Sequence, residues 1–85
     1  YYVQLSFGAD KKKTSDPCFK SYRNKVVART VKGKGYRYLV GGVKTYDEAL
    51  RLQREVRREF PDAFAVAYDG DRQIDLKTAR RREAQ

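Results

Sequence analysis

The chain has no histidine, no methionine, no tryptophan, one cysteine (Cys18) and two prolines in 85 residues. Without histidine, Ser-His-Asp triads, Cys-His dyads and imidazole acid/base catalysis are excluded, and a single cysteine cannot build a Cys/His zinc cluster. A lone cysteine closes no intrachain disulfide either, so Cys18 reads as a small, semi-buried hydrophobe and the redox compartment stays open. No apolar run approaches the roughly 18 residues that a membrane helix requires. Acidic residues are scarce: 11 Asp and Glu face 20 Lys and Arg, a formal charge of +9. That balance points to an anionic partner, and the missing side chains point away from an enzyme, a metal or a cofactor. The length fits one domain, and the lack of Met at position 1 leads us to expect a domain of a longer polypeptide.

What is present falls into alternating and helical patterns. Residues 1–7 place Tyr1, Val3, Leu5 and Phe7 on one side and Tyr2, Gln4 and Ser6 on the other, the period-2 pattern of a half-buried strand. Residues 8–25 form a basic loop through Lys11, Lys12 and Lys13 that ends in about one helical turn around Cys18, Phe19 and Tyr22. VVARTV and YRYLVG, split by Lys32-Gly33-Lys34-Gly35, read as a hairpin. An even loop centred on Gly33-Lys34 sets Val31 opposite Tyr36, Arg29 opposite Tyr38 and Val27 opposite Val40. Thr45-Tyr46-Asp47-Glu48 is a capping box, after which Ala49, Leu52, Val56 and Phe60 recur at helical spacing until Pro61. AFAVAY (residues 63–68) predicts a last strand closed by Asp69-Gly70, and Asp75 caps a short basic helix.

The order predicts an α+β fold of βαββαβ, RNP or ferredoxin-like type. It has a four-stranded antiparallel sheet with helices on one face, a reduced first helix and a short C-terminal helix. If Val3, Leu5 and Phe7 pack under the helix, Tyr2, Gln4 and Ser6 face the open side. The hairpin then buries Tyr36, Tyr38 and Val40 and opens Arg37, Leu39, Ala28 and Thr30. The same rule sends Phe64, Val66 and Tyr68 to the helix side and leaves Ala63, Ala65 and Ala67 as a shallow floor.

YYVQLSF, YRYLVGGV followed by TYDEA, and DAFAVAY, in this order and spacing over about residues 1–70, resemble the SPOR domain, the sporulation-related repeat. The irregular basic segment and the ending FPDAFAVAYDGDRQIDLKTA are similar to SPOR-like domains of Bacteroidetes-type bacteria, some of which end N-acetylmuramoyl-L-alanine amidases. The resemblance implies a SPOR-like domain over 1–72, followed by a short helix and basic tail over 73–85. It also implies a noncatalytic module of the bacterial cell envelope and periplasm that binds peptidoglycan, in particular glycan strands stripped of stem peptides, through the open sheet face. By position it gives Gln4, Arg37 and Ser6 glycan-facing roles, and the alternation of the strands adds Tyr2, Leu39 and Thr30. The partners implied are glycan strands and an upstream amidase or other envelope domain, with no nucleic acid and no membrane span in this chain.

Two other readings compete. A βαββαβ chain with this charge and with Tyr36 and Tyr38 also fits an RRM-like RNA or single-strand-binding module, although Gln4 and Arg37 stand where stacking aromatics belong. A protein-interaction domain would use the helix or a sheet edge. GADKKKTS lacks the glycine before the lysine of a phosphate loop, and the acidic pairs are absorbed by a helix start and a turn, so neither a nucleotide site nor a glycosidase pair is read. Residues 11–34 hold nine Lys and Arg against one acidic residue, so nearly all the excess charge lies in the loop and hairpin.

Overall fold

A computed structural model describes residues 1–70 and 72–84. The central strand β1 (Tyr2–Gly8) pairs with β3 (Gly35–Gly41) on one side and with β4 (Phe64–Asp69) on the other. Outside these lie β2 (Val27–Val31), against β3, and β5 (Arg72–Ile74), against β4, giving the order β2-β3-β1-β4-β5 with every neighbour antiparallel. The α+β class is as expected, but the sheet has five strands rather than four. The added strand is only three residues long, too short to show a period, and forms because the turn at Gly70, at φ +62°, folds the chain back on β4.

Helix α1 (Tyr46–Val56) starts at the expected cap: the Glu48 amide donates to the Thr45 hydroxyl at 3.2 Å, and that hydroxyl donates to the Glu48 carboxylate at 3.0 Å. It ends at Val56, one turn before Phe60. There the Arg57 guanidinium turns across the helix end to the Ala63 carbonyl at 2.8 Å. The first helix is reduced to a 3-10 segment, Pro17–Tyr22, capped by Asp16, whose carboxylate accepts from the Cys18 amide at 2.8 Å. This segment buries Phe19 against Tyr38, ring centroids 5.0 Å apart, and leaves Cys18 exposed rather than semi-buried. Partial desolvation and the Asp16 carboxylate push the Cys18 thiol above its ordinary range, so it is not a ready thiolate.

The main core lies between the sheet and α1: Val3, Leu5, Phe19, Val26, Tyr38, Val40, Val56 and Ala63, flanked by Tyr22, Tyr36, Leu52 and Phe60. Tyr36 and Tyr38 therefore belong to this core, which removes them as stacking platforms. Helix α2 (Leu76–Glu83), capped by Asp75, closes the far end. Its Glu83 carboxylate accepts from the Tyr1 hydroxyl at 2.8 Å and from the first amide of α1, at Tyr46, at 3.0 Å, while Arg80 lies over the Tyr46 ring.

Three register features differ from simple alternation. In β1 the pairing slips between Gln4 and Ser6: Gln4 faces Leu39, but Ser6 faces Tyr38 and Phe7 faces Arg37. This β-bulge keeps Leu5 in the core, turns Phe7 to the open face and removes Ser6 from it. The hairpin loop has three residues, closed by the Lys34 amide on the Val31 carbonyl at 2.9 Å with Gly33 at φ +74°. Thr30 therefore faces Tyr36, Ala28 faces Tyr38 and Arg29 faces Arg37, one residue out from the even-loop register. Thr30 and Ala28 thus share the helix side, and Arg29 the open one. In β4, Ala65 aligns with Val3, so Ala63, Ala65 and Ala67 lie beneath α1 and Phe64, Val66 and Tyr68 face the open side. The helix comes close enough for the Gln53 side chain to accept from the Ala65 amide at 2.7 Å, and only small side chains fit there.

Gly35 sits at φ +146°, and a Cβ there would stand 2.4 Å from the Gly8 carbonyl oxygen. Gly35→Ala is expected to cost about 2 kcal/mol or more in urea unfolding, against about 1 kcal/mol for Gly33→Ala, whose surroundings are open. The Tyr1 hydroxyl, partly desolvated and bonded to Glu83, is raised from 10.0 to about 12. Its contribution is complete below pH 10 and is lost as the pH rises towards 12, so the thermal midpoints of the wild type and Tyr1→Phe should converge over that interval.

Candidate functional site

The face of the sheet turned away from α1 is concave, because the five strands curl. Arg29 on the outer strand β2 reaches across β3 and β1 to place its guanidinium carbon 4.5 Å from the Tyr68 ring centroid on β4 and 5.5 Å from that of Tyr2. The two tyrosines meet edge to face at 5.7 Å, and Arg37 Nη1 donates to the Tyr68 hydroxyl at 3.4 Å. Cation–π contacts of this kind contribute roughly 0.5–2 kcal/mol each, more as they are desolvated. They also offset the repulsion of two arginines placed directly opposite on neighbouring strands.

Beneath this lattice lie Leu39, 0% exposed, Val66 at 3% and Gln4 at 9%. Around it stand the chain's exposed large apolar side chains: Phe7 at 49%, Val27 at 44% and Phe64 at 45%. The register aligns Val27, Leu39, Gln4 and Phe64 in one row across the sheet, and Arg29, Arg37 and Phe7 in the next. Among the described residues, these three exposed large apolar side chains thus lie on the same face, around a floor that is already closed.

The structure brings together Tyr2, Gln4, Arg37 and Leu39 of the residues read from sequence. Leu39 is fully buried under the arginine lattice instead of exposed, and Gln4 is a floor residue with its amide almost covered. Ser6 and Thr30 lie off this face, displaced by the bulge and by the three-residue hairpin loop. Phe7, Arg29, Phe64 and Tyr68 take the places that alternation did not give them. Two signals bear on this: Gly33 and Gly35 permit an odd loop, and the three alanines of β4 mark a close helix contact. The position of the bulge has no clear mark in the sequence.

The chemistry available is that of a binding surface. Arginine forks, tyrosine hydroxyls and an amide offer polar pairing, and the phenylalanine rings offer flat apolar area. Among the described residues no group of three or more Cys, Asp or Glu side chains is placed to hold a metal ion. No described helix is long and apolar enough to cross a membrane.

A family model described as the SPOR domain matches residues 19–67, more than half of the chain. The matched segment runs from the 3-10 segment through the hairpin and α1 into β4. Neither a curated protein nor a solved structure matches the chain.

Floor and rim residues should separate in stability measurements. Leu39→Ala is expected to cost about 2–4 kcal/mol in urea unfolding, whereas Phe64→Thr, at the rim, should stay within about 1 kcal/mol of the wild type. Equal costs would mean that the concave face is not organised in this way.

Proposed function

The chain belongs to the SPOR domain family, whose members are noncatalytic peptidoglycan-binding modules of bacterial envelope proteins, and we propose that its concave sheet face holds glycan strands stripped of their stem peptides. The observation that carries this reading is the gathering of Phe7, Val27 and Phe64 on the one face that also presents Arg37, Tyr2 and Tyr68. Pyranose rings have apolar C–H faces and a polar rim, so a chain of them matches flat rings spaced around hydrogen-bonding groups.

Removal of the stem peptide changes the ligand's charge. In an intact strand the lactyl group of muramic acid is tied up as a neutral amide; in a stripped strand it is a carboxylate. Arg37 is half-buried beside the Tyr68 hydroxyl and supplies a guanidinium fork to that carboxylate, which supports preference for the stripped form. The Gln4 amide acts from the floor and fixes the face rather than forming the main contact. In this reading the domain brings a larger periplasmic protein to its substrate. An amidase, which produces such strands, is the catalytic neighbour that fits.

Binding to purified sacculi before and after amidase digestion tests the proposal. Digestion should raise the bound fraction several-fold. Arg37→Ala should lower affinity for digested sacculi about tenfold or more, as expected for a lost charge-assisted bond. Phe7→Ala and Phe64→Ala should each lower it several-fold. Equal, negligible binding before and after digestion would defeat the proposal.

A further inference from the structure

The cations of this chain are divided by chemistry as well as by place. On the concave face they are arginines, Arg29 and Arg37. At the end of the sheet where the hairpin turns they are lysines: Lys11, Lys12 and Lys13 in the loop after β1, and Lys32 and Lys34 in the turn, all exposed. The two lysine-bearing segments share this end, because Gly35, next to Lys34, packs directly on Gly8 and Ala9 at the start of the loop. An open cleft of about 350 Å³ beside this contact is lined by Ala9, Val31, Gly33, Lys34 and Tyr36.

The lysine run is held in place by the core. The buried Tyr38 hydroxyl accepts from the Lys12 amide at 2.8 Å and donates to the Asp10 carbonyl at 3.1 Å. The Asp16 amide bonds the Lys13 carbonyl at 2.9 Å, and the Asn24 amide bonds the Thr14 carbonyl at 2.8 Å. Asp16, the one acidic residue of 11–34, is engaged first by the Cys18 amide, and Lys12 acts on it only at longer range. Among the described residues none of the five lysines forms an ion pair.

We propose that this lysine-lined end is a second binding surface, separate from the concave face, for a flexible phosphodiester-linked polyanion. Lysine ammonium groups are compact point charges on mobile stems. They suit phosphates of variable spacing better than a planar carboxylate, which favours arginine. Residues 9–13 and 32–34 contain no aromatic and no apolar side chain larger than Ala9, and the Val31 and Tyr36 side chains at the cleft are half-buried, Tyr36 against the core, so the surface offers no free ring to stack on a base and no apolar group to enter a lipid layer. A polymer with phosphates but without bases or acyl chains is the occupant that fits.

The test uses the 85-residue chain and a short synthetic poly(glycerol phosphate), with affinity read by fluorescence anisotropy. If five phosphates are neutralised, binding should weaken on the order of a hundredfold between about 50 and 200 mM salt. Replacing Lys11, Lys12, Lys13, Lys32 and Lys34 by Gln should abolish it while leaving binding to digested sacculi within twofold. Tyr38→Phe, which keeps every charge but frees the loop, should weaken it at least threefold, with circular dichroism confirming the fold. A control removes five exposed cations elsewhere, with Gln at Lys44, Arg51, Arg54, Lys77 and Arg81, and should retain most of the affinity. An equal loss in the control would reduce the effect to net charge and overturn the proposal. Tighter binding to an oligonucleotide or to anionic phospholipid vesicles than to poly(glycerol phosphate) would overturn it in favour of those partners.

Discussion

The bulge between Gln4 and Ser6 in the central strand decides what both faces of the sheet present. Strand β1 is paired on both sides only over Tyr2 to Gln4; beyond that, β3 alone flanks it. At this point the extra residue is absorbed, so Leu5 still reaches the core while Phe7 emerges on the opposite face beside Arg37. A bulge also increases local twist. The resulting curl brings Arg29, on the outer strand, over rings carried by β1 and β4. An unbulged β1 would put Phe7 beneath the sheet and Ser6 above it, and the concave face would lose one of its three apolar rim residues.

The concave face is a small second core rather than an empty trough. Its floor is covered by guanidinium and phenol groups belonging to the chain itself, whose contacts extend over four of the five strands. Such a face needs little rearrangement to receive a rigid sugar chain, since its aromatic and charged groups are already held by one another. The same packing explains why a charged, solvated-looking strand such as VARTV can close a domain of this size. The stem of its single arginine, Arg29, acts as hydrophobic cover while its guanidinium lies over the Tyr2 and Tyr68 rings.

Local signals were the legible ones. Thr45 and Glu48 marked the start of α1, Ala49, Leu52 and Val56 its buried stripe, and Asp75 the cap of α2, because each acts within a few residues of chain. Tyr36, Tyr38 and Val40 were placed correctly because the alternation of β3 is unbroken. The errors lie where one strand's orientation depends on another's register. In β4 the usual expectation that large apolar residues go inward failed, since α1 approaches too closely for anything larger than alanine. In β2 a one-residue difference in loop length exchanged Thr30 for Arg29. Carry-over by family position put Gln4 and Arg37 on the open face, where they lie, but could not show that the first is covered and the second partly exposed.

The formal charge of +9 takes on a different meaning once each cation is followed to its contacts. Three arginines of the helix side are committed to the fold: Arg57 to the Ala63 carbonyl, Arg80 to the Tyr46 ring, and Arg82 to Asp69 in an ion pair of 2.8 Å. That ion pair is exposed on both sides and contributes little by itself, so its role is to orient α2 rather than to stabilise the domain. On the sheet, Arg29 lies over the Tyr2 and Tyr68 rings and Arg37 donates to the Tyr68 hydroxyl. The lysines of the loop and turn form no ion pair among the described residues, although Lys12 acts on the Asp16 carboxylate at longer range and the backbone beneath three of them is fixed by a buried tyrosine. Bringing like charges together on an ordered segment carries a repulsive cost that a mobile loop would relieve. A fold that orders them anyway holds five lysine charges at one end of the sheet, beside its concave face.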